Sequence, residues 1–293
     1  MPPLAVLAQK AFQQEMAKLL KPDFIDLNTA LSSIRKAALP NNEEDRCVIV
    51  IDASSVPRHL IVDVLKVAEN RSQPFKDVFF CYSYPKEYLP GDLEIASPKV
   101  EFEGLDDVKQ PSGRMAAVLF PGFNPAESAV LLSTLIAWKS PDTQFSVRWL
   151  FNHPSAQRHF YERAICSHRP FFESGIWGAD HQVRSIYSLA NWSEFISQVA
   201  QSARDVGQTG RIFIGGGGPR VLVAPAFLSC RLLKSMGYRC AVALTRPLAY
   251  TTMGSSGEVR ETAVWDVGHE YENARKVLQQ ICGEPKQSAL FRA

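Results

Sequence analysis

The residues best suited to chemistry lie in Arg211-Ile-Phe-Ile-Gly-Gly-Gly-Gly-Pro-Arg220. A short β-branched run meets four consecutive glycines, then a proline and a long apolar stretch. That order predicts a strand, a tight turn and a helix opening at Pro219, where a missing N–H is harmless. Glycine admits backbone conformations closed to other residues and lets a second molecule come close to the chain. A helix N-terminus adds free N–H groups and the positive end of its dipole. The chemistry expected of Gly215, Gly216, Gly217 and Gly218 is therefore anion binding through backbone amides, with Arg220 and Arg246 adding charge-assisted bonds. The bland alternative is a plain glycine turn. Two common fingerprints are excluded. A dinucleotide loop needs a third glycine where Arg220 stands, and an acid after the next strand, which instead ends Leu244-Thr245-Arg246. A Walker A loop needs a Gly-Lys pair, which the sequence lacks.

A second candidate is Asp52-Ala-Ser-Ser-Val56. It resembles the D-x-D-x-T/V nucleophile loop of haloacid-dehalogenase-like phosphatases, but Ser54 replaces the second aspartate and removes the usual general acid. It also resembles the D-x-S-x-S metal site of von Willebrand A domains, but Val56 replaces the last serine. The bland reading is that Asp52 caps the next helix or bonds the loop backbone. Asp52, Ser54, Ser55 and Arg58 are candidate ligand contacts. Tyr82, Tyr84 and Tyr250 follow strand-like runs and are suited to stacking on a base or a sugar; an aromatic lid over the core is the competing explanation. His153 and Asp52 are the candidate acid–base groups. His153, His159 and His168 have no metal-ligand spacing, and no Ser–His–Asp set, H-E-x-x-H or paired-carboxylate motif can be assembled. No metal site is expected, and no cofactor is identified.

The elements that must position these residues follow from hydrophobic periodicity. Cys47-Val-Ile-Val-Ile-Asp52 has no polar alternation and predicts a strand covered on both faces. A helix over 57–69 and a strand over 77–83 complete a βαβ unit. Residues 84–115, rich in Pro, Gly and acids, predict a long excursion with a short edge hairpin. Strands over 116–120, 145–151, 184–189, 211–214, 240–245 and 263–267 alternate with helices over 125–138, 155–166, 192–206, 219–236 and 271–281. This alternation predicts a doubly wound, mainly parallel, Rossmann-like α/β sheet. Val48, Ile49, Val50, Ile51, Phe79, Phe80, Ile212 and Ile214 are its expected core. The polar stretch Pro40-Asn-Asn-Glu-Glu-Asp45 suggests a boundary. Residues 1–45 form an expected helical appendage, 46–283 the α/β domain and 284–293 a loosely ordered tail.

With 46% hydrophobic and 21% charged residues among 293, the composition is that of a globular protein. A net charge of +2 implies no broad field for polyanions, so nucleic acid is not indicated. Six cysteines are scattered without a C-x-x-C pair, and reduced thiols in a cytoplasmic protein are the simplest reading. Met1-Pro-Pro-Leu-Ala-Val-Leu-Ala-Gln-Lys10 lacks the features of a secretory signal, and no window is apolar enough to span a membrane.

Val48-Ile-Val-Ile-Asp52-Ala-Ser-Ser-Val-Pro57-Arg58, Tyr82-Ser-Tyr84-Pro85, Phe120-Pro-Gly122-Phe123 and Thr245-Arg-Pro247-Leu-Ala-Tyr250 together resemble uncharacterised Rossmann-like proteins of bacterial conflict and antiphage gene clusters. They are also similar to CRISPR-associated Rossmann-fold sensor domains that bind ring nucleotides. The resemblance covers 48–250 and carries over no catalytic residue. It implies a cytosolic component of a defence or signalling assembly that recognises a nucleotide-like or phosphorylated ligand, with a protein partner or a second copy. The alternatives are a hydrolase or phosphotransferase using Asp52, and a structural subunit whose ligand site has decayed.

Overall fold

The computed structural model describes residues 48–54, 56–85, 99–105, 113–152, 158–175, 177–187, 189, 191–246 and 259–283. The expected appendage and tail lie outside the described residues.

The first βαβ unit forms as its sequence predicts. Strand β1 (Ile49–Asp52), helix α1 (Arg58–Glu69) and strand β2 (Val78–Pro85) run in order, with β1 and β2 parallel from Ile49↔Val78 to Asp52↔Cys81. Six further strands build a second sheet: β3 (Lys99–Glu103), β4 (Arg114–Leu119), β5 (Gln144–Asn152), β6 (Asp180–Ile186), β7 (Arg211–Gly215) and β8 (Arg239–Arg246). Their spatial order is β3-β8-β7-β4-β5-β6, all parallel except the edge strand β3. Helices α2 (Pro125–Trp138), α3 (Arg158–Glu173), α4 (Trp192–Val206) and α5 (Val223–Ser235) make the crossovers between its parallel strands. The last strand, β9 (Val259–Asp266), pairs antiparallel with β2, and α6 (Val267–Cys282) follows.

The topology departs from the single doubly wound sheet that the sequence predicts. The α/β alternation does not close into a single doubly wound sheet. The β1–α1–β2 unit stands apart with β9 in a three-stranded mixed sheet. Alternation specifies parallel units, but it carries no information on which edge each unit joins.

The core explains why both sheets are held. β4 and β7 bury almost every residue, as strands covered on both faces must. One face of the large sheet packs Leu131, Leu135, Trp149, Phe151 and Phe213 beneath α2 and α3. The other face carries α4 and α5, which α6 and α1 link to the small sheet in one continuous apolar cluster. Trp192 of α4 stacks on Trp265 of β9 at 5.3 Å, and Phe80 of β2 meets both edge-on. Polar links join in: Arg231 of α5 pairs with Glu69 of α1 at 2.8 Å, and Lys66 with Glu103 at 2.9 Å.

Burial in the small sheet alternates, because only one face is packed. Ile49 and Ile51 are buried, whereas Val50 and Phe79 are half-buried. Val48, expected in the core, precedes β1 and is 50% exposed. The helix expected from Pro219 is also shifted: Arg220–Leu222 forms a 3₁₀ turn, and α5 opens only at Val223.

Candidate functional site

Numbering the five parallel strands of the large sheet along the chain gives the order 3-2-1-4-5. The order reverses between β4 and β7. In open α/β sheets the crevice beyond the carboxyl ends at such a reversal is where ligands bind. Phe120-Pro-Gly122 leaves β4 there, and the four glycines leave β7.

These two turns are laced together. Phe120 N donates to Gly215 O at 2.9 Å, and Gly218 N donates to Phe120 O at 2.8 Å. The approach is too close for side chains. Gly216 has φ +144°, and a Cβ there would lie 2.5 Å from Phe120 O. The space above Gly217 is already filled: a Cβ built at Gly217 would lie 1.5 Å from Glu127 Oε2.

Glu127 sits in the first turn of α2, whose N-cap Asn124 accepts a hydrogen bond from Ala126 N at 3.0 Å. It is only 6% exposed. Burial raises its carboxyl above the usual range, and Arg58, the Thr245 hydroxyl and Arg220 pull in the opposite direction. Thr245 faces the carboxylate without closing a hydrogen bond of good geometry. Arg58 Nη1 lies 3.7 Å from Glu127 Oε1, while its Nη2 donates to Gly217 O at 2.5 Å and Gly218 O at 2.9 Å. From the other side, Arg220 Nη1 donates to Ser54 O at 2.5 Å. The fold thus brings Ser54, Arg58, Gly217, Gly218 and Arg220 together, although they are far apart in sequence. Arg220 is directed at a backbone carbonyl of the β1–α1 turn.

Asp52 holds its own turn: its Oδ1 accepts from Ser54 N at 2.9 Å. Ser54 Oγ accepts from Ser83 N at 2.7 Å, and Ser83 Oγ bonds Thr262 Oγ1 at 3.0 Å, so the turn is tied across β2 to β9. Tyr82 and Tyr84 lie nearby on β2, in edge-to-face contact at 4.9 Å, with Tyr82 buried. Arg246 ends β8 opposite Lys99. Ser55, His153 and Tyr250 lie outside the described residues. His168 is structural. Its Nδ1 donates to Ala164 O, and its Nε2 accepts from Ser128 Oγ, both at 2.9 Å.

Sequence reasoning missed Glu127. An acid three positions after a helix N-cap ordinarily reads as part of the cap, and that reading hides its second use. The same edge, where the strand pattern of the sequence already places Arg58, Asn124, Asn152 and Thr245, carries a set of buried polar atoms. Arg58 Nε, Asn124 Nδ2, Asn152 Oδ1 and Thr245 Oγ1 have no hydrogen-bond partner among the described residues. Groups of this kind call for an explanation, because burying a polar atom unpaired costs free energy.

These features define an α/β protein with a glycine loop at its strand-order reversal and a buried carboxylate inside that loop. No protein-family model matches the chain, and no curated protein matches it. Among the described residues, no group of three or more His, Cys, Asp or Glu is placed to hold a metal ion. No helix among them is long and apolar enough to cross a membrane.

Proposed function

We propose that the chain is a Rossmann-like binding component of a bacterial defence or signalling assembly. In this reading it recognises a nucleotide-like or other phosphorylated molecule at the reversal crevice. The supporting observation is the coincidence of the glycine loop with buried donors that lack partners among the described residues, Arg58 Nε and Asn124 Nδ2. Oxygen-rich ligands satisfy such donors with charge-assisted bonds. Tyr84 is assigned to the base or sugar. The test is to denature the purified protein, identify released small molecules by mass spectrometry, and titrate a nucleotide panel by calorimetry. A phosphate-bearing molecule in the released fraction, or saturable binding from the panel, is the expected result. Neither appearing would overturn the proposal.

One observation favours a second reading, a structural subunit whose ligand site has decayed. The Glu127 side chain already fills the glycine loop. On that reading no molecule is released and nothing in the panel binds. The hydrolase reading rests on Asp52, which is exposed and holds its own turn through the Ser54 amide. It requires loss of turnover in Asp52→Asn with the fold intact.

A further inference from the structure

The Glu127 carboxylate stands where the glycine loop would hold an anion, and the same geometry offers a way for it to leave. Its nearest cation, Arg58, is anchored independently on the carbonyls of Gly217 and Gly218, so the guanidinium stays in place without the carboxylate. The Arg58–Glu127 approach of 3.7 Å is an ion pair without a close hydrogen bond. Thr245, only 2% exposed, turns its hydroxyl toward the same carboxylate. Removing the carboxylate would leave a glycine-walled space bordered by the Arg58 guanidinium and the Thr245 hydroxyl.

We propose that Glu127 is an internal anion that determines the specificity of the crevice: a phosphate group binds only by displacing the Glu127 carboxylate from Gly217 and Arg58. The proposal rests on the reading of this crevice as a phosphate site. It follows from charge. A phosphate brought beside a fixed carboxylate meets like-charge repulsion, whereas the same phosphate beside Arg58 alone is attracted. Molecules with one weakly charged group are therefore rejected, and those with a dense anionic group are accepted. The charged groups facing Glu127 are Arg58 from α1 and Arg220 from the 3₁₀ turn, and neither arginine loses its proton at working pH. Protonation of Glu127 itself is then the step that weakens the plug.

The experiment titrates inorganic pyrophosphate into the full chain by calorimetry, comparing wild type with Glu127→Ala and Glu127→Gln. Both variants should bind at least about tenfold more tightly than wild type, since each removes the competing charge. Wild-type affinity should gain on that of the variants as the pH is lowered, because protonated Glu127 no longer repels the probe; pyrophosphate's own protonation is common to all three proteins. If Glu127→Ala fails to fold by circular dichroism, Glu127→Gln and the wild-type pH profile decide. Equal affinity and equal pH dependence in all three would overturn the plug and leave the phosphate site standing. Absence of binding in every protein would overturn both.

Discussion

Arg58 and Arg220 reach across the same gap in opposite directions. Arg58, from the helix that follows β1, donates to the carbonyls of Gly217 and Gly218 beyond β7. Arg220, from the turn that follows those glycines, donates to the carbonyl of Ser54 beyond β1. Each arginine satisfies the turn that precedes the other. Among the described residues the two sheets share no strand, and this exchange fixes their carboxyl edges relative to one another. Arginine suits the task because its planar fork serves two acceptors at once and never loses its charge.

Arg58→Ala should destabilise the protein by about 3 kcal/mol or more, since it leaves a buried carboxylate without its nearest cation. Chemical denaturation measures this. Adding Glu127→Gln to Arg58→Ala should recover part of the loss. A cost within about 0.5 kcal/mol, the range of ordinary surface changes, would show that the ion pair contributes nothing.

Gly217→Ala and Glu127→Ala should be strongly non-additive. The new methyl group and the Glu127 carboxylate compete for one space. Gly217→Ala should therefore cost less once Glu127 has been truncated, with a coupling of about 1 kcal/mol or more in a double-mutant cycle. Additive losses would mean that the loop moves freely away from Glu127.

His168 should make stability fall on acidification. Burial depresses its pKa, and both ring nitrogens are engaged in the neutral form. The unfolded chain takes up this proton below about pH 6.5, while the folded protein resists until a lower pH. The contribution is complete above that value and declines as the pH falls toward the folded pKa. His181, also depressed by burial, acts with the same sign, whereas Glu127, raised by burial, acts with the opposite one at lower pH. His168→Gln should flatten the fall only in part. Identical pH–stability curves for wild type and variant would refute the assignment.

Ile49→Ala should cost roughly 2–5 kcal/mol, as for other buried large-to-small changes. Ile49 is 6% exposed and begins β1, packed on the cluster shared by the small sheet and α6. The same change at Val48 should be nearly silent, because that side chain is half in solvent. Thermal melting of the two variants side by side separates the two positions.

Local chemistry was readable from the chain, and long-range placement was not. The βαβ unit, the strand alternation and the glycine turn follow from β-branched runs, helical stripes and Gly/Pro punctuation. Asp52 holding its turn through the Ser54 amide is the plainest of the three readings of that motif. The separate small sheet was not readable, because β9 pairs with a strand far earlier in the sequence and no local pattern encodes that choice. Glu127 was hidden for a related reason. Its position after Asn124 fits a helix cap, and its burial depends on Gly217 and Arg58 arriving from distant segments. Val48 was misread because a continuous apolar run does not show where a short strand begins.

The antiparallel pairing of β2 with β9 has a consequence for biosynthesis. The β1–α1–β2 unit leaves the ribosome early, and β9 emerges only after the whole large sheet has been translated. Until then β2 presents an unpaired edge, and Trp192 lacks the indole of Trp265 that stacks on it. Non-local pairing of this kind forms slowly and leaves strand edges open to other chains. A nascent chain stalled before Val259 thus exposes both the β2 edge and the Trp192 ring, and the closing of β9 onto β2 covers them together.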